Sequence, residues 1–169
     1  MGKTVATESM RANDSSAEQV FRQYGDMVYR LAFARLRSRA DADDVLQEVF
    51  LRYLRAAPAC HDEDHRKAWL LRTTINCCHT LAGSAWRRHT AALPDTVVAA
   101  PTEPSGVYEA VMSLPANYRT VVHLYYYEDY AVAEIAALMG RKEATVKTWL
   151  HRARARLRDL LKGEFDDVS

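Results

Sequence analysis

The chain is poor in cysteine, proline and glycine. It has 3 cysteines, 5 prolines and 6 glycines among 169 residues. An odd, unevenly spaced set of cysteines argues against a disulfide framework and fits a reducing cytosol. No apolar run approaches the roughly 18 residues of a membrane span, and the N-terminus lacks the apolar core of a signal peptide. We therefore expect a soluble, cytoplasmic protein.

A large net charge is also lacking, because 23 Lys and Arg residues nearly balance 22 Asp and Glu residues, leaving a net charge of +1. The charges are segregated along the chain, however, so the total conceals strongly basic segments. Between Arg141 and Arg158 there are seven Lys or Arg residues and one acid, Glu143. Such a segment indicates a polyanionic partner rather than a small substrate.

Strand patterns are scarce as well: the β-like runs Val97–Val98 and Tyr125–Tyr127 are each too short to suggest a strand pair. Helical periodicity covers most of the remainder. We predict an all-α fold of two small helical domains joined by a flexible linker. The expected segments are a disordered tail (1–16), a first block (17–89), a Pro-containing linker (90–106), a second block (107–163) and a short tail (164–169).

The second block contains a helix-turn-helix pattern. A short amphipathic helix starts near Ala131, Gly140 makes a turn, and a second helix runs from about Glu143 to Leu161. Within that helix one side is apolar and the other is polar. A narrow cationic helix held by a partner helix suits the major groove of duplex DNA. The apolar stripe comprises Val146, Leu150, Ala153 and Leu157, and Thr148, His151, Arg152 and Ala155 lie opposite it.

The segment ADADDVLQEVFLRYLRAA, residues 40–57, predicts a helix that Asp41 could cap. Its buried stripe should be Val45, Leu46, Val49, Phe50, Tyr53 and Leu54. Its other side carries Asp44, Gln47, Glu48 and Leu51. From spacing alone this acidic row is either a solvated face or a docking surface for a basic partner.

A third helix, about Glu63 to Arg88, has five Lys or Arg residues from Arg66 onward and no acid. Arg side chains can hold phosphates, an Asn can pair with a base edge, and an aromatic ring can stack on an unpaired base. This face therefore suits single-stranded nucleic acid, unless Trp69 at its border is simply part of the core. The outer face comprises His65, Arg72, Asn76, His79, Gly83 and Arg87.

Three motifs in this order resemble bacterial sigma factors of the extracytoplasmic-function (ECF) type, which keep only the second and fourth sigma domains. The segment DADDVLQEVFLRYLR resembles the family's clamp-binding helix, and HRKAWLLRTTINCC resembles its promoter-melting helix. The segment EIAALMGRKEATVKTWLHRARARL resembles its helix-turn-helix. The resemblance covers about residues 17–89 and 107–162. It implies a promoter-specificity subunit that is not an enzyme and needs no cofactor or metal. It also implies core RNA polymerase, promoter DNA and an anti-sigma factor as partners.

The resemblance also implies roles for individual residues, taken from the matching positions of the family's motifs. Asp44, Gln47 and Glu48 match the residues that grip the clamp of the polymerase's largest subunit, which favours docking over a solvated face. The loop at residues 59–65 matches the segment that pockets a base flipped from the −10 element. The implied −10 contacts are His65, Arg66, Lys67, Trp69, Arg72, Asn76, Arg87 and Arg88, and the implied −35 contacts are Lys147, Thr148, His151 and Arg152.

Two departures from the family pattern and two alternatives stand beside this interpretation. Ala131 and Lys142 occupy positions where the family often has a Ser or Thr helix cap, and Trp149 replaces a frequent Arg. A metal or thiol enzyme is suggested by Cys60, Cys77 and neighbouring histidines, although the spacing of zinc sites is lacking. An autonomous helix-turn-helix regulator is the main alternative, but it leaves the first block without a role.

Overall fold

The computed structural model describes the backbone of residues 3–56, 59–60, 62–88 and 106–166. Side chains are described for residues 17–56, 59–60, 62–83 and 106–163. Within these residues the chain is helical and contains no β-strand. The helices are α1 (Lys3–Leu36), α2 (Arg39–Ala56), α3 (Glu63–Arg88), α4 (Gly106–Ser113), α5 (Ala116–Val122), α6 (Val132–Met139) and α7 (Glu143–Asp166), with a π-helical turn (His123–Tyr127) directly after α5.

Helix α1 begins at Lys3, inside the segment that the sequence predicts to be a disordered tail. No proline or glycine lies between Lys3 and Ser16 to break the helix. The expected linker lies almost entirely outside the described residues, as do residues 167–169 of the C-terminal tail. Helix α7 continues past the expected end near Leu161 to Asp166. The proposed domain boundaries remain predictions.

The break between α1 and α2 is sharp because Arg37 has a left-handed backbone, with φ of 55°. Its N–H still bonds to the carbonyl of Phe33 at 2.8 Å, which closes the last turn of α1. Helix α2 is capped by Ser38 rather than by Asp41: the Ser38 hydroxyl accepts the N–H of Asp41 at 3.2 Å. The expected cap was wrong because Asp41 already lies inside the first turn.

The first block is a three-helix bundle of α1, α2 and α3. Its fully buried side chains include Leu31, Val49, Leu70 and Ile75. The predicted stripe of α2 packs inward except at Leu54, which is 39% exposed. Leu54 lies at the edge of the stripe, where the bundle no longer covers the end of α2.

The second block holds the helix-turn-helix, α6 and α7. Gly140 adopts the left-handed conformation, φ 63°, that ends α6. As the sequence suggested, Ala131 provides no side-chain cap. Tyr125–Tyr127 lie in the π-helical turn, not in a strand. The two blocks also pack on each other: Val121, Leu124 and Ile135 belong to the same buried cluster as the core of the first block.

Candidate polymerase and promoter-binding surfaces

The acidic side of α2 faces solvent. Asp44 and Gln47 are exposed, and Glu48 is half-exposed. The Glu48 carboxylate pairs with Arg52 one turn later at 2.9 Å, which raises the pKa of the Arg52 guanidinium. An exposed pair of this kind contributes roughly 0.3–0.5 kcal/mol at most. A partner's cation can therefore replace Arg52 at little cost.

An open pocket of about 430 Å³ lies between α2 and α3. Trp69 is half-buried at its wall and meets the ring of Tyr53 edge-on, with ring centroids 5.6 Å apart. One part of the Trp69 ring packs on the core and another part lines the pocket. The polar lining adds Asn76 from α3 with Arg52 and Arg55 from α2. An aromatic wall with amide and guanidinium groups offers stacking, base-edge and phosphate contacts.

Arg66 is engaged within the fold. Its Nε donates to the Tyr53 hydroxyl at 3.3 Å, and its guanidinium pairs with Glu63. The Tyr24 hydroxyl donates to the other Glu63 oxygen. Burial, reinforced by this bond, raises the pKa of Tyr24 to about 12, while the bonds from Tyr24 and Arg66 lower the pKa of Glu63. Arg66 therefore ties α3 to α2 and, through Glu63, to α1.

Two other predicted −10 residues face the second block. The Lys67 ammonium lies 3.2 Å from Glu128 and 5.4 Å from the centre of the Tyr130 ring. Arg72 is exposed and lines the same cleft, about 380 Å³ in volume, with Glu134 of α6 on the opposite wall. The predicted −10 residues thus divide between two sides of α3.

The start and end of α3 complete the predicted −10 set. His65 is exposed, and its backbone N–H is capped by the Asp62 carboxylate at 2.7 Å. The backbone of α3 reaches Arg88, but the side chains of Arg87 and Arg88 lie outside the described residues.

Helix α7 separates its two sides as its periodicity predicts. Its apolar side packs inward: Val146, Leu150 and Ala153 are at most 2% exposed, and Leu157 is half-buried. The predicted −35 residues, Lys147, Thr148, His151 and Arg152, are all exposed. With α6 packed beneath it, α7 presents a cationic ridge that duplex DNA can receive in its major groove.

Aromatic contacts hold the rest of α7. Trp149 is half-buried against the core, with the Arg141 guanidinium 5.9 Å from its ring centre. Arg154 donates to the Tyr126 hydroxyl at 2.6 Å. Arg154 is therefore anchored to the π-helical turn, unlike the cations of the exposed ridge.

Comparison with known proteins agrees with this geometry. Residues 20–89 match the family described as sigma-70 region 2, and residues 106–157 match sigma-70 region 4. The chain is 34% identical over 149 residues to the ECF RNA polymerase sigma factor SigM of Mycobacterium tuberculosis, covering 85% of this chain and 76% of SigM. The chain belongs to the sigma-70 family, in its ECF branch. It is also 33% identical over 159 residues to the ECF sigma factor SigE of Mycolicibacterium smegmatis, covering 86% of this chain and 62% of SigE's length.

Solved sigma factor structures share the fold. The sigma factor RpoE of Bartonella quintana, in complex with the anti-sigma factor NepR, aligns with a TM-score of 0.71 at 19% identity, covering 86% of this chain and 96% of RpoE. CnrH, in complex with the cytosolic domain of CnrY, aligns with a TM-score of 0.61 at 22% identity, covering 94% and 95% of the two chains. The all-α fold of two sigma domains is confirmed.

Family membership decides between the functions considered from the sequence. The match to region 2 gives the first block a role, so this sigma factor is not an autonomous helix-turn-helix regulator.

Cys77 and Cys78 are buried free thiols, and burial raises the pKa of Cys78 to about 12. In the described part of the chain no group of three His, Cys, Asp or Glu side chains could hold a metal ion, and no helix is long and apolar enough to cross a membrane.

Sequence reasoning missed two groups of residues in this sigma factor. Arg52 and Arg55 lie three residues apart at the end of α2, and that spacing could have placed them together beside Trp69. Arg35 and Arg119 are buried between the two blocks. No local pattern distinguishes them, because α1 carries four other cations and Arg119 is a lone cation in the short helix α5.

Proposed function

We propose that this sigma factor gives core RNA polymerase its promoter specificity through three separate surfaces. Helix α2 docks on the polymerase, α7 reads the −35 duplex, and α3 holds the opened −10 strand. The observation that carries this proposal is α7, whose four predicted contact residues are exposed while the opposite side is buried. A cationic helix fixed in this way can enter a major groove without any change of fold.

The polymerase contact is proposed for Asp44, Gln47 and Glu48. The three side chains share one side of α2, and the family uses these positions against a basic clamp. Opposite charge on two surfaces speeds their encounter and fixes their relative orientation. Because the Glu48–Arg52 pair is exposed, docking costs little rearrangement on this side.

The −10 contact is proposed for α3 and for the pocket beside it. Trp69 and Asn76 supply an aromatic wall and a base-edge partner, and Arg52 and Arg55 extend the cationic lining beyond the predicted set. Arg66, Lys67 and Arg72 add charge along the rest of α3, together with Arg87 and Arg88, and His65 adds a polar side chain near its start. Opening is favoured because such groups bind a base only when it is unpaired.

The partners of this sigma factor follow from the same proposal. We propose that it acts in the cytoplasm, where polymerase and promoter are found, and that an anti-sigma factor controls it. The solved structures of RpoE with NepR and of CnrH with CnrY support a partner of that class.

A reconstituted transcription reaction tests the proposal. Core polymerase supplied with the purified chain should start transcripts at a defined set of genomic positions, which sequencing would reveal. The variant Glu48→Lys should lose polymerase association, because it places a cation against a basic partner. The matched control is Glu18→Lys on α1, which also loses an exposed i,i+4 pair with an arginine but lies off the α2 surface. If Glu48→Lys associates as well as Glu18→Lys does, the α2 surface is not the docking site.

A further inference from the structure

An open groove of about 390 Å³, here called the α1–α4 groove, lies beside the start of the second block. Helix α1 lines it with Tyr29 and Phe33, α4 lines it with Val111 and Met112, and α5 adds Val122. Its volume falls within the roughly 300–1,000 Å³ of small-molecule sites. A two-turn helix, about 11 Å long and 10 Å wide, would occupy about twice this volume. The α1–α4 groove therefore suits a small molecule better than a helix of another protein.

Hydrogen bonds hold the backbone around this groove in place. Arg119, which is 4% exposed, donates to the carbonyl oxygens of Ala34 and Arg35, each at 2.6 Å, and to that of Leu114. Arg35 donates in return to the Thr120 hydroxyl at 2.9 Å. Because Ala34 and Arg119 both line the groove, its shape is set before a ligand arrives, which lowers the entropic cost of binding.

The α1–α4 groove is positively charged. The described residues that line it include Arg30 and Arg119 but no Asp or Glu. Arg37 reaches the same region, since its guanidinium donates to the carbonyl of Met112 at 2.9 Å. Burial, followed by the positive charges of Arg37 and Arg35, lowers the pKa of Arg119 to about 10. Three neighbouring cations beside an apolar surface favour an anionic ligand.

Arg30 is the cation best placed to bind that anion. It is exposed, and its guanidinium lies 5.1 Å from the centre of the Tyr127 ring. None of the ion pairs in the described part of the chain includes Arg30. A guanidinium that lies over a ring keeps the N–H groups at its edge available, and two of them match the two oxygens of a carboxylate. The donors of Arg119, in contrast, are already on carbonyl oxygens.

The apolar part of the ligand follows from how the aromatic rings of the lining are arranged. Tyr29 stacks on Phe33 with ring centroids 6.2 Å apart, and Tyr127 stacks on His123 with centroids 5.0 Å apart. Rings engaged in this way offer a ligand mainly their edges, together with the aliphatic side chains of α4 and α5. A flexible aliphatic chain can follow such a surface, whereas a planar aromatic ligand needs a free ring face to stack on.

We propose that the α1–α4 groove binds a medium-chain aliphatic carboxylic acid, with its carboxylate on Arg30 and its chain along Phe33 and Met112. None of the described residues that line the groove belongs to the surfaces proposed for polymerase or DNA. Binding would give this sigma factor a direct response to a small molecule. The inference does not depend on the proposed function, because binding is measured on the free chain.

Calorimetric titration of the full-length chain with decanoate tests the ligand class. Decyltrimethylammonium has the same alkyl chain and the opposite charge, and 3-phenylpropanoate has the same acid on an aromatic body. Decanoate should bind about tenfold more tightly than either, because only decanoate matches both Arg30 and the aliphatic lining. Methyl-labelled methionines locate the site: the signal of Met112, assigned with Met112→Leu, should shift on addition of decanoate.

Two variants test the assigned contacts. Arg30→Gln should weaken decanoate binding about tenfold, because it removes a charge-assisted pair of hydrogen bonds. Arg22→Gln is the matched control, since Arg22 is also an exposed arginine of α1 but pairs with Glu18 and does not line the groove. Ala34→Leu fills the groove and should weaken binding by a similar factor while leaving Arg30 in place. Thermal melts followed by circular dichroism establish that each variant is folded; should Ala34→Leu fail to fold, Arg30→Gln and the Met112 signal decide.

Four results would overturn the inference. The first is no binding of decanoate at millimolar concentration. The second is equal binding of decyltrimethylammonium or 3-phenylpropanoate, which would remove the argument for an aliphatic anion. The third is an affinity of Arg30→Gln equal to that of Arg22→Gln. The fourth is binding without a shift of the Met112 signal, which would place the acid elsewhere on the chain.

Discussion

Leu150 and Arg152 lie two residues apart on α7 but face opposite ways, and this contrast tests the phase of the recognition helix. Leu150 is 2% exposed and packs in the cluster that contains Ile135 and Leu138 of α6. Leu150→Ala removes three carbon groups, about 2.4 kcal/mol at roughly 0.8 kcal/mol each. The cavity left behind raises the expected loss of unfolding free energy to about 3 kcal/mol. For a chain of this size the melting temperature should fall by about 6–12 °C.

Arg152→Ala is the matched comparison. Its side chain is exposed, so the unfolding free energy should change by no more than about 0.5 kcal/mol. If Arg152 makes a bidentate base contact, holoenzyme binding to the −35 element should weaken by roughly 1–3 kcal/mol. Urea unfolding followed by circular dichroism gives the stabilities, and a filter-binding assay with holoenzyme gives the affinities. If Arg152→Ala unfolds the second block while Leu150→Ala is silent, the assigned phase is wrong.

Three further outcomes follow from the described contacts. Asn76→Ala should leave polymerase association intact but reduce permanganate reactivity at the −10 element. A pre-melted template should restore part of the lost transcription. Loss of polymerase binding in this variant would refute the assignment of docking to α2 and of strand opening to α3. Burial raises the pKa of the Cys78 thiol to about 12, so iodoacetamide at pH 8 should label half-exposed Cys60 in the folded chain well before Cys78. Peptide mapping by mass spectrometry gives the two labelling rates, and equal rates would show that Cys78 is not buried. Burial lowers the pKa values of His123 and His79, so the unfolded chain binds protons more readily than the folded chain. Stability should therefore fall as pH drops below about 6.5. Thermal melts from pH 8 to 5 would contradict this if the unmodified chain showed no such fall, or if His123→Gln showed the same fall.

Periodicity predicted the helices that carry the proposed contacts with little error. Helix α3 has the predicted bounds, and the second helix of the helix-turn-helix begins at the predicted Glu143. These helices are amphipathic and each ends near a recognisable signal, such as the left-handed Gly140 after α6. The exposed side of α7 could therefore be assigned from the sequence alone.

Tertiary context decided the features that periodicity missed. Ser38 caps α2 because the chain turns at Arg37, and nothing local marks a left-handed arginine. Trp69 lies between core and pocket, a position that depends on how far α2 leans over α3. Arg66 remains a predicted −10 contact, and no sequence pattern indicated its hydrogen bonds to Tyr53 and Glu63.

The docking of the two blocks shows why local patterns could not predict the interface between them. Sequence signals report on one helix at a time, whereas Arg35 and Arg119 gain their meaning from helices about 85 residues apart in the chain. A buried arginine with neutral acceptors contributes little net stability, because desolvation offsets most of its hydrogen bonding. What it supplies is a defined geometry, since each guanidinium fits only one arrangement of carbonyl and hydroxyl oxygens. The interface therefore fixes how the two blocks meet: it partly covers Lys67 on one side of α3 and leaves the pocket beside Trp69 open on the other.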